Sequence, residues 1–394
     1  MPESAVPRRR CAVVGLGARA QLFTEALAGP YADRIELAGF CDVNTHRMAV
    51  HNDWIAADHP GQPPVPAYAA EDFDEMLRRE RIDLVVVSTV DHLHDRYIVR
   101  ALEAGCDVVT EKPMTTSADR ARRILDTERR TGREVRVAFN YRYNPVHSAV
   151  CELLAGGEIG DIGSVHFEWL LDLRHGADYF RRWHRNKSNS GGLMVHKATH
   201  HFDPGRLVRA DRPLPGRGGG GRLPPRPERV GPGVSIEDDM AVLVRYASGA
   251  TLTYHLTAYA PWEGYRIAFN GSEGRVELLV EESTWTRPDV RTDGASPVMH
   301  GAAVGDEAGR TQLLVRRFWE EPREVKVPTG EGGHGGGDVC MLADLFGERS
   351  PGGSDPLGRA ADARDGARSL VTGLAANESF ATGLPVDVRG LRAA

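Results

Sequence analysis

The segment Val13-Val14-Gly15-Leu16-Gly17-Ala18-Arg19-Ala20 limits what this chain can fold into more than any other. It follows apolar residues that begin at Cys11 and leads into a helix-forming stretch, Gln21 to Ala28, so it reads as strand, glycine turn and helix. In such a turn Gly15 permits a tight bend and Gly17 lets backbone N–H groups approach a pyrophosphate. Ala20 is small enough for the helix to pack on the strand. The first N–H groups of a helix lack partners within it and, with the helix dipole, present positive charge to phosphate. A second apolar run, Ile35 to Phe40, is followed by Cys41-Asp42, about where an acid meets the ribose of an adenosine. Gly15, Gly17, Ala18, Arg19, Ala20 and Asp42 are therefore the expected dinucleotide contacts. The plainer alternative is a tight turn in an α/β protein that binds nothing there.

The first third of the chain alternates strand and helix as a doubly wound parallel sheet requires. Strands are expected at Cys11–Gly15, Ile35–Cys41, Ile82–Thr89, Asp107–Thr110 and Val135–Phe139, with helices between them, one stopped by Gly105 and another by Gly132. After Tyr141 hairpins replace crossovers: Met240–Tyr246 with Ala250–Leu256, and Ile267–Phe269 with Val276–Val280. The reading is α/β: a Rossmann domain over residues 1–140, then an α+β domain over 141–394 with an open, largely antiparallel sheet. One face of that sheet, if uncovered, suits a dimer surface. From Pro204 to Gly233, 22 of 30 residues are Gly, Pro or Arg, which reads as a surface loop or as a slipped reading frame that replaced a helix begun at Gly192.

Composition narrows the partners. A net charge of -6 argues against nucleic acid, and no run of eighteen apolar residues suits a membrane span. Met1 to Arg10 lacks the apolar core of a secretory signal. Five widely spaced cysteines suit reduced thiols in a cytoplasm. Basic residues are nearly all arginine; only Lys112, Lys187, Lys197 and Lys326 are lysine, so these positions call for an ammonium in particular.

Glu111-Lys112-Pro113 follows a strand at the carboxyl edge, where doubly wound sheets bind ligands. Lys112 there can hydrogen-bond a substrate hydroxyl and stabilise charge as its proton leaves; otherwise it is a surface lysine before a turn, and its bond to Pro113 suits the cis isomer. Gly191 to Asp203 carries His196, Lys197, His200 and His201. On a helix His196 and His200 share one face, with Lys197 and His201 on the adjacent one. His200 is the expected general base and His196 its neighbour, against the reading of a polar helix face. Lys197 among these residues and the lack of a nearby cysteine leave no metal expected. Thr89, His92 and His94 close the third strand and either line a nicotinamide pocket or cap a helix. Tyr141, Arg142 and Tyr143 either hold a polyol or carboxylate or pack an interdomain hinge. Asp178 to Lys187 reads either as a substrate loop, with Trp183 as a platform for a sugar ring, or as a cationic solvated face. His334 could reach the pocket from the glycine turn before Asp338.

Taken together, Gly15 to Ala20, Thr89 to His94, Glu111-Lys112-Pro113, Tyr141 to Pro145 and Gly191 to His200 resemble the glucose-fructose oxidoreductase / inositol dehydrogenase / rhizopine-catabolism (Gfo/Idh/MocA) family. The resemblance covers nearly the whole chain outside Pro204 to Gly233. It implies an N-terminal Rossmann domain, an open-sheet C-terminal domain, NAD or less often NADP, sugar or cyclitol substrates, and homodimers or homotetramers. The family's lysine falls on Lys112 and its catalytic histidine on His200. Where many members carry an aspartate four residues before that histidine, this chain has His196, and an imidazole does not orient its partner as a carboxylate does. The resemblance implies an NAD-dependent dehydrogenase of a sugar, glycoside or cyclitol hydroxyl. Two alternatives are an NAD-recycling glycosidase that works by oxidation and elimination, which the turn at Gly333 to Asp338 resembles, and a ligand-sensing regulator without catalysis.

Overall fold

The computed structural model describes residues 8–203, 213–214, 233–285, 309–327, 333–347 and 355–391. Its first part follows the alternation of the apolar runs: β1 (Arg9–Val14), α1 (Ala20–Ala28), β2 (Ile35–Asp42), α2 (Thr45–Asp58), β3 (Ala67–Ala69), α3 (Phe73–Arg79), β4 (Leu84–Val87), α4 (His94–Glu103), β5 (Asp107–Thr110), α5 (Ala118–Thr131) and β6 (Val135–Val137). All neighbours pair in parallel, in the order β3-β2-β1-β4-β5-β6. Val13 on β1 and Val85, Val86 and Val87 on β4 are fully buried, because both faces of the sheet are covered. Local chemistry sets the helix ends: Ser117 accepts a hydrogen bond from Arg120 N to open α5, and Gly132 closes it at φ 67°. The strand order reverses between β1 and β4, and a crevice opens at the carboxyl ends there.

The second part runs α6 (Pro145–Ala155), β7 (Ile162–Asp172), α7 (Leu173–Arg181), α8 (Lys187–Ser190), α9 (Leu193–His196), α10 (Thr199–Phe202), β8 (Pro213–Leu214), β9 (Asp239–Tyr246), β10 (Thr251–Ala260), β11 (Glu263–Gly271), β12 (Gly274–Ser283), β13 (Thr311–Arg317), β14 (Arg323–Glu324), α11 (Gly337–Phe346) and α12 (Ala363–Thr382). Its eight strands lie in the order β14-β13-β12-β11-β7-β10-β9-β8, antiparallel except where β7 meets β10. Side chains alternate: Phe167, Trp169 and Leu171 on β7 and Leu252, Tyr254 and Leu256 on β10 turn into the core, while His166, Leu243, Thr253 and Arg266 on the other face are exposed. The stretch Pro204 to Gly233 lies outside the described residues, except for Gly233 and the backbone of β8.

The two parts of the chain do not pack separately, because α11 and α12 return to the parallel sheet. Met341, Leu342 and Phe346 pack with Phe23 and Val109, and Ala363, Ala367 and Leu370 pack with Val108, Ile124 and Val137. One expectation needs correction: the helix expected from Gly192 is broken. Leu193 O accepts from both Lys197 N (3.0 Å) and Ala198 N (2.9 Å), one wide turn that ends α9 and restarts the ladder as α10. His200 is thereby shifted from the regular i+4 position over His196.

Candidate active site

A cleft of about 520 Å³ lies at the carboxyl ends of β1, β2, β4 and β5, lined by the glycine turn at one end and by α7, the Trp183 turn, α9 and α10 at the other. Gly15 adopts φ 85°, and a Cβ there would lie 2.7 Å from Thr89 Cα, so only glycine lets the turn press against the end of β4. A Cβ on Gly17 would meet nothing within 4 Å, which leaves the backbone accessible from the cleft. Asp42 pins this turn: its Oδ2 accepts from Leu16 N at 2.6 Å and its Oδ1 from Asn44 N at 2.7 Å. Open backbone at Gly17, a helix N-terminus behind it and a buried acid at the end of β2 fit the pyrophosphate and ribose of a dinucleotide.

Some residues expected to touch that dinucleotide also hold the turn. Arg19 Nε donates to Glu111 Oε1 at 2.6 Å, and its Nη2 donates to Asp338 Oδ1 at 2.9 Å. Asp338 Oδ1 also accepts from Asn140 Nδ2 at 2.9 Å. The network ties the glycine turn, the Glu111-Lys112-Pro113 loop and α11 together, while Arg19 and Glu111 still line the cleft. Ala18 and Thr89 line it too. Ala20 does not: it is fully buried against β1, because its small side chain serves helix–strand packing. His92 is also outside the lining. His94 reaches the cleft wall, but its ring nitrogens lie 2.9 Å from Pro113 O and 3.0 Å from Thr89 O. Burial lowers its pKa, and the ring braces the loop after β5, whose Lys112–Pro113 bond is cis.

The chemistry gathers where that loop meets α9. Lys112 Nζ donates to His196 O at 3.1 Å. Burial lowers the Lys112 pKa to about 8, against the pull of Asp91 and Glu111. His196 Nδ1 lies 2.6 Å from Asp91 Oδ2. The carboxylate missing from the motif is thus supplied by a residue 105 positions earlier in the chain, at the end of β4. Burial pushes the Asp91 carboxyl well above the ordinary range, opposed by the Lys112 ammonium. Burial and the Lys112 charge hold His196 well below the usual imidazole value. With Asp91 ionised, His196 carries its proton on Nδ1 and keeps Nε2 as an acceptor. His200 lines the same cleft, its ring edge-on to Tyr141 at 4.6 Å and to Phe139 at 6.1 Å.

Across from these residues lie His175, Asp178, Tyr179, Arg182, Trp183 and His184. The His184 ring stacks on Trp183 at 3.8 Å and meets His196 edge-on at 4.5 Å; burial brings its pKa down to about 3, so it is neutral. His175 Nδ1 sits 2.6 Å from Glu263 Oε1 on β11. Lys197 Nζ lies 4.7 Å from the Trp169 ring centre. Nothing in local sequence pairs Asp91 with His196 or Glu263 with His175. The only signal for Asp91 was its place one residue before His92 in a stretch already singled out.

Other expected site residues belong to the framework. The Arg142 side chain is 7% exposed and donates to Asp203 and Asp365, which fastens the interdomain turn to α10 and α12. The Tyr143 hydroxyl donates to Asp344 at 2.5 Å. Tyr141 packs between Trp169 and His200, and His201 stacks on Trp169 at 4.3 Å with Nδ1 2.6 Å from the Tyr254 hydroxyl. None of these four lines the cleft. Lys187 is paired with Glu237 on the loop side. Gly333–Gly336 forms a 3₁₀ turn, and the side chain of His334 lies outside the described residues.

Comparison with known proteins agrees with this architecture. Residues 9–139 match the model of an oxidoreductase family with an NAD-binding Rossmann fold, and residues 151–388 match that family's C-terminal alpha/beta domain. The chain belongs to the Gfo/Idh/MocA oxidoreductase family. A Bacillus subtilis (strain 168) protein, YteT, is 32% identical over 96% of this chain and 97% of its own length. Levoglucosan dehydrogenase of Pseudarthrobacter phenanthrenivorans is 26% identical over 54% of this chain and 59% of its own. A solved structure of levoglucosan dehydrogenase with NADH covers 97% of this chain and 99% of that one, with a TM-score of 0.70 at 20% identity. Among the described residues no helix is long and apolar enough to cross a membrane.

Proposed function

We propose that this family member is an NAD-dependent dehydrogenase that oxidises a secondary hydroxyl of a sugar, glycoside or cyclitol. The observation that carries the reading is the convergence of Lys112, His196 with its Asp91 partner, and His200 on one cleft that continues to the glycine turn. Bound NAD supplies the acceptor for the hydride of the substrate carbon. The rest is work for the chain. Lys112, as an ammonium held at His196 O, donates to the substrate oxygen and stabilises the charge that develops as the O–H proton leaves. That proton goes to an imidazole nitrogen of His200, so one carbinol yields one ketone, one hydride and one proton. Asp91 fixes the His196 ring and, through its backbone carbonyl, the height of Lys112. The Trp183–His184 wall gives a sugar ring an aromatic surface.

Asp42 favours NAD over NADP, because its buried carboxylate repels a 2′-phosphate; Arg47, with Nη1 3.8 Å from Asp42 Oδ1, is already engaged. Five cysteines without disulfides suit a cytoplasmic setting, and the exposed sheet face around Leu243 and Arg266 suits a second copy of the chain. The test is purified protein screened with NAD against sugars, cyclitols and aryl glycosides. Net NADH with a ketone product supports the reading; aglycone release without net NADH shows a redox-neutral glycosidase and overturns it.

A further inference from the structure

The charged groups of the cleft are almost all matched within the protein. Arg19 holds Glu111 and Asp338, Arg47 faces Asp42, Arg182 pairs with Asp178 at 3.0 Å, and Lys112 donates to His196 O at 3.1 Å. Lys197 is the exception. Its side chain follows α9 into the cleft wall and the residue is only 4% exposed, yet among the described residues its ammonium makes no hydrogen bond or ion pair. Its close neighbours are the rings of Trp169 at 4.7 Å and Tyr141 at 5.9 Å. Two acids, Glu263 and Glu282, act on it electrostatically, yet among the described residues neither comes within 4 Å of its ammonium as an ion pair. Glu263 is turned away: Oε1 meets His175 Nδ1 at 2.6 Å and Oε2 accepts from Asp172 N at 3.3 Å. Burial and the neighbouring Asp172 charge raise its pKa to about 8, against the pull of the Lys197 ammonium. The positive groups facing Lys197 compound the mismatch, since Lys112 shares the cleft. An ammonium in such surroundings is unfavourable unless something brings it an anion.

We propose that the substrate is an anionic sugar derivative, a uronate or aldonate, whose carboxylate pairs with Lys197 while its carbinol reaches Lys112 and His200. This rests on the dehydrogenase reading and adds to it the class of substrate. One ammonium beside aromatic rings suits a monoanionic carboxylate on an otherwise apolar sugar face. A phosphate dianion would call for further donors around it. Lys197 follows α9 at the end of the cleft away from the glycine turn, so the anchor would also set which carbon of the sugar faces the nicotinamide site.

Binding tests this without needing turnover. The full-length protein loaded with NADH is titrated, by quenching of the cofactor's fluorescence, with glucuronate, galacturonate, gluconate and galactonate. The neutral controls are glucose and galactose, and glucose 6-phosphate completes the set. At least one carboxylate sugar is expected to bind about tenfold or more tightly than its neutral counterpart. Lys197→Met should bring that ratio to within about twofold, and Lys197→Arg should recover part of it. Melting curves of both variants establish that they fold. A ratio that survives Lys197→Met, neutral sugars that bind as well as the acids, binding by none of the sugars, or preference for the phosphate would each overturn the proposal. NADH formation is read separately with the same sugars. A neutral sugar oxidised with no preference for acids removes the anchor and leaves the dehydrogenase. A uronate bound with the expected Lys197 dependence, but with no hydride transferred by any sugar, does the reverse.

Discussion

Replacing Asp91 with asparagine removes the carboxyl group that meets His196 in the cleft and changes almost nothing else in size. In the parent, Asp91 Oδ2 lies 2.6 Å from His196 Nδ1, and both residues are buried. A hydrogen bond to a charged group in such surroundings contributes about 1.5–3 kcal/mol. If that interaction orients His196 and through its carbonyl sets Lys112, kcat/KM should fall roughly 10- to 150-fold, at about 1.4 kcal/mol per factor of ten. The pH profile gives a second reading. Burial lowers the Lys112 pKa to about 8, and the Asp91 charge works against that lowering. An ammonium required for catalysis makes kcat/KM fall as pH rises through about 8. Asp91→Asn takes away the opposing charge, lowers the Lys112 pKa further and moves that fall to lower pH. Initial rates of NADH formation from neutral to alkaline pH, with melting curves as a control for folding, decide it. A variant that keeps kcat/KM within about twofold of the parent and an unmoved alkaline limb would refute the positioning role.

Lys112→Met should lower kcat by about a hundredfold or more, while NAD affinity, followed by fluorescence titration, changes little because the phosphate-binding turn is intact. Arg142→Ala leaves Asp203 and Asp365 buried without their shared cation and should lower unfolding free energy by about 3–5 kcal/mol in denaturant titrations. A kinetic defect without loss of stability would instead return Arg142 to the substrate site. Glu263 has a folded pKa near 8, above its unfolded value, so the folded state holds an extra proton between those values. Its contribution to stability is present at acid pH and is lost as pH rises towards 8. In Glu263→Gln the melting temperature should therefore decline less between mildly acid and mildly alkaline buffer than in the parent.

The parallel half of the fold was legible because each buried strand is a short apolar run bounded by its own turn residues. Asp107–Thr110 is the same in sequence and structure, and Gly132 ends α5 as its position suggests. Lys112 and His200 were legible as candidates because a motif marks each, and both line the cleft. What the sequence could not show is partnership across long separations. Asp91 meets His196 only because β4 and α9 end at the same crevice, and Glu263 meets His175 only because β11 lies beside β7. Local pattern also misled where two environments call for the same residue types. Tyr141, Arg142 and Tyr143 suit a polyol site and a packed hinge equally well; the short 3₁₀ turn Asn140–Tyr143 points them into the hinge. The wide turn at Ala198 was invisible, since its residues are all compatible with an uninterrupted helix.

The return of α12 to the parallel sheet sets how this polypeptide can come apart. Ala363, Ala367 and Leu370 cover Val108, Ile124 and Val137, while Ala376 on the same helix sits in the core beneath the mixed sheet. A fragment ended after β6 would leave those valines bare to water, and one begun at α6 would hold a long helix missing half its seat. Melting is thus expected as one event, in which a nucleotide captured at the amino-terminal end also steadies strands that it never touches.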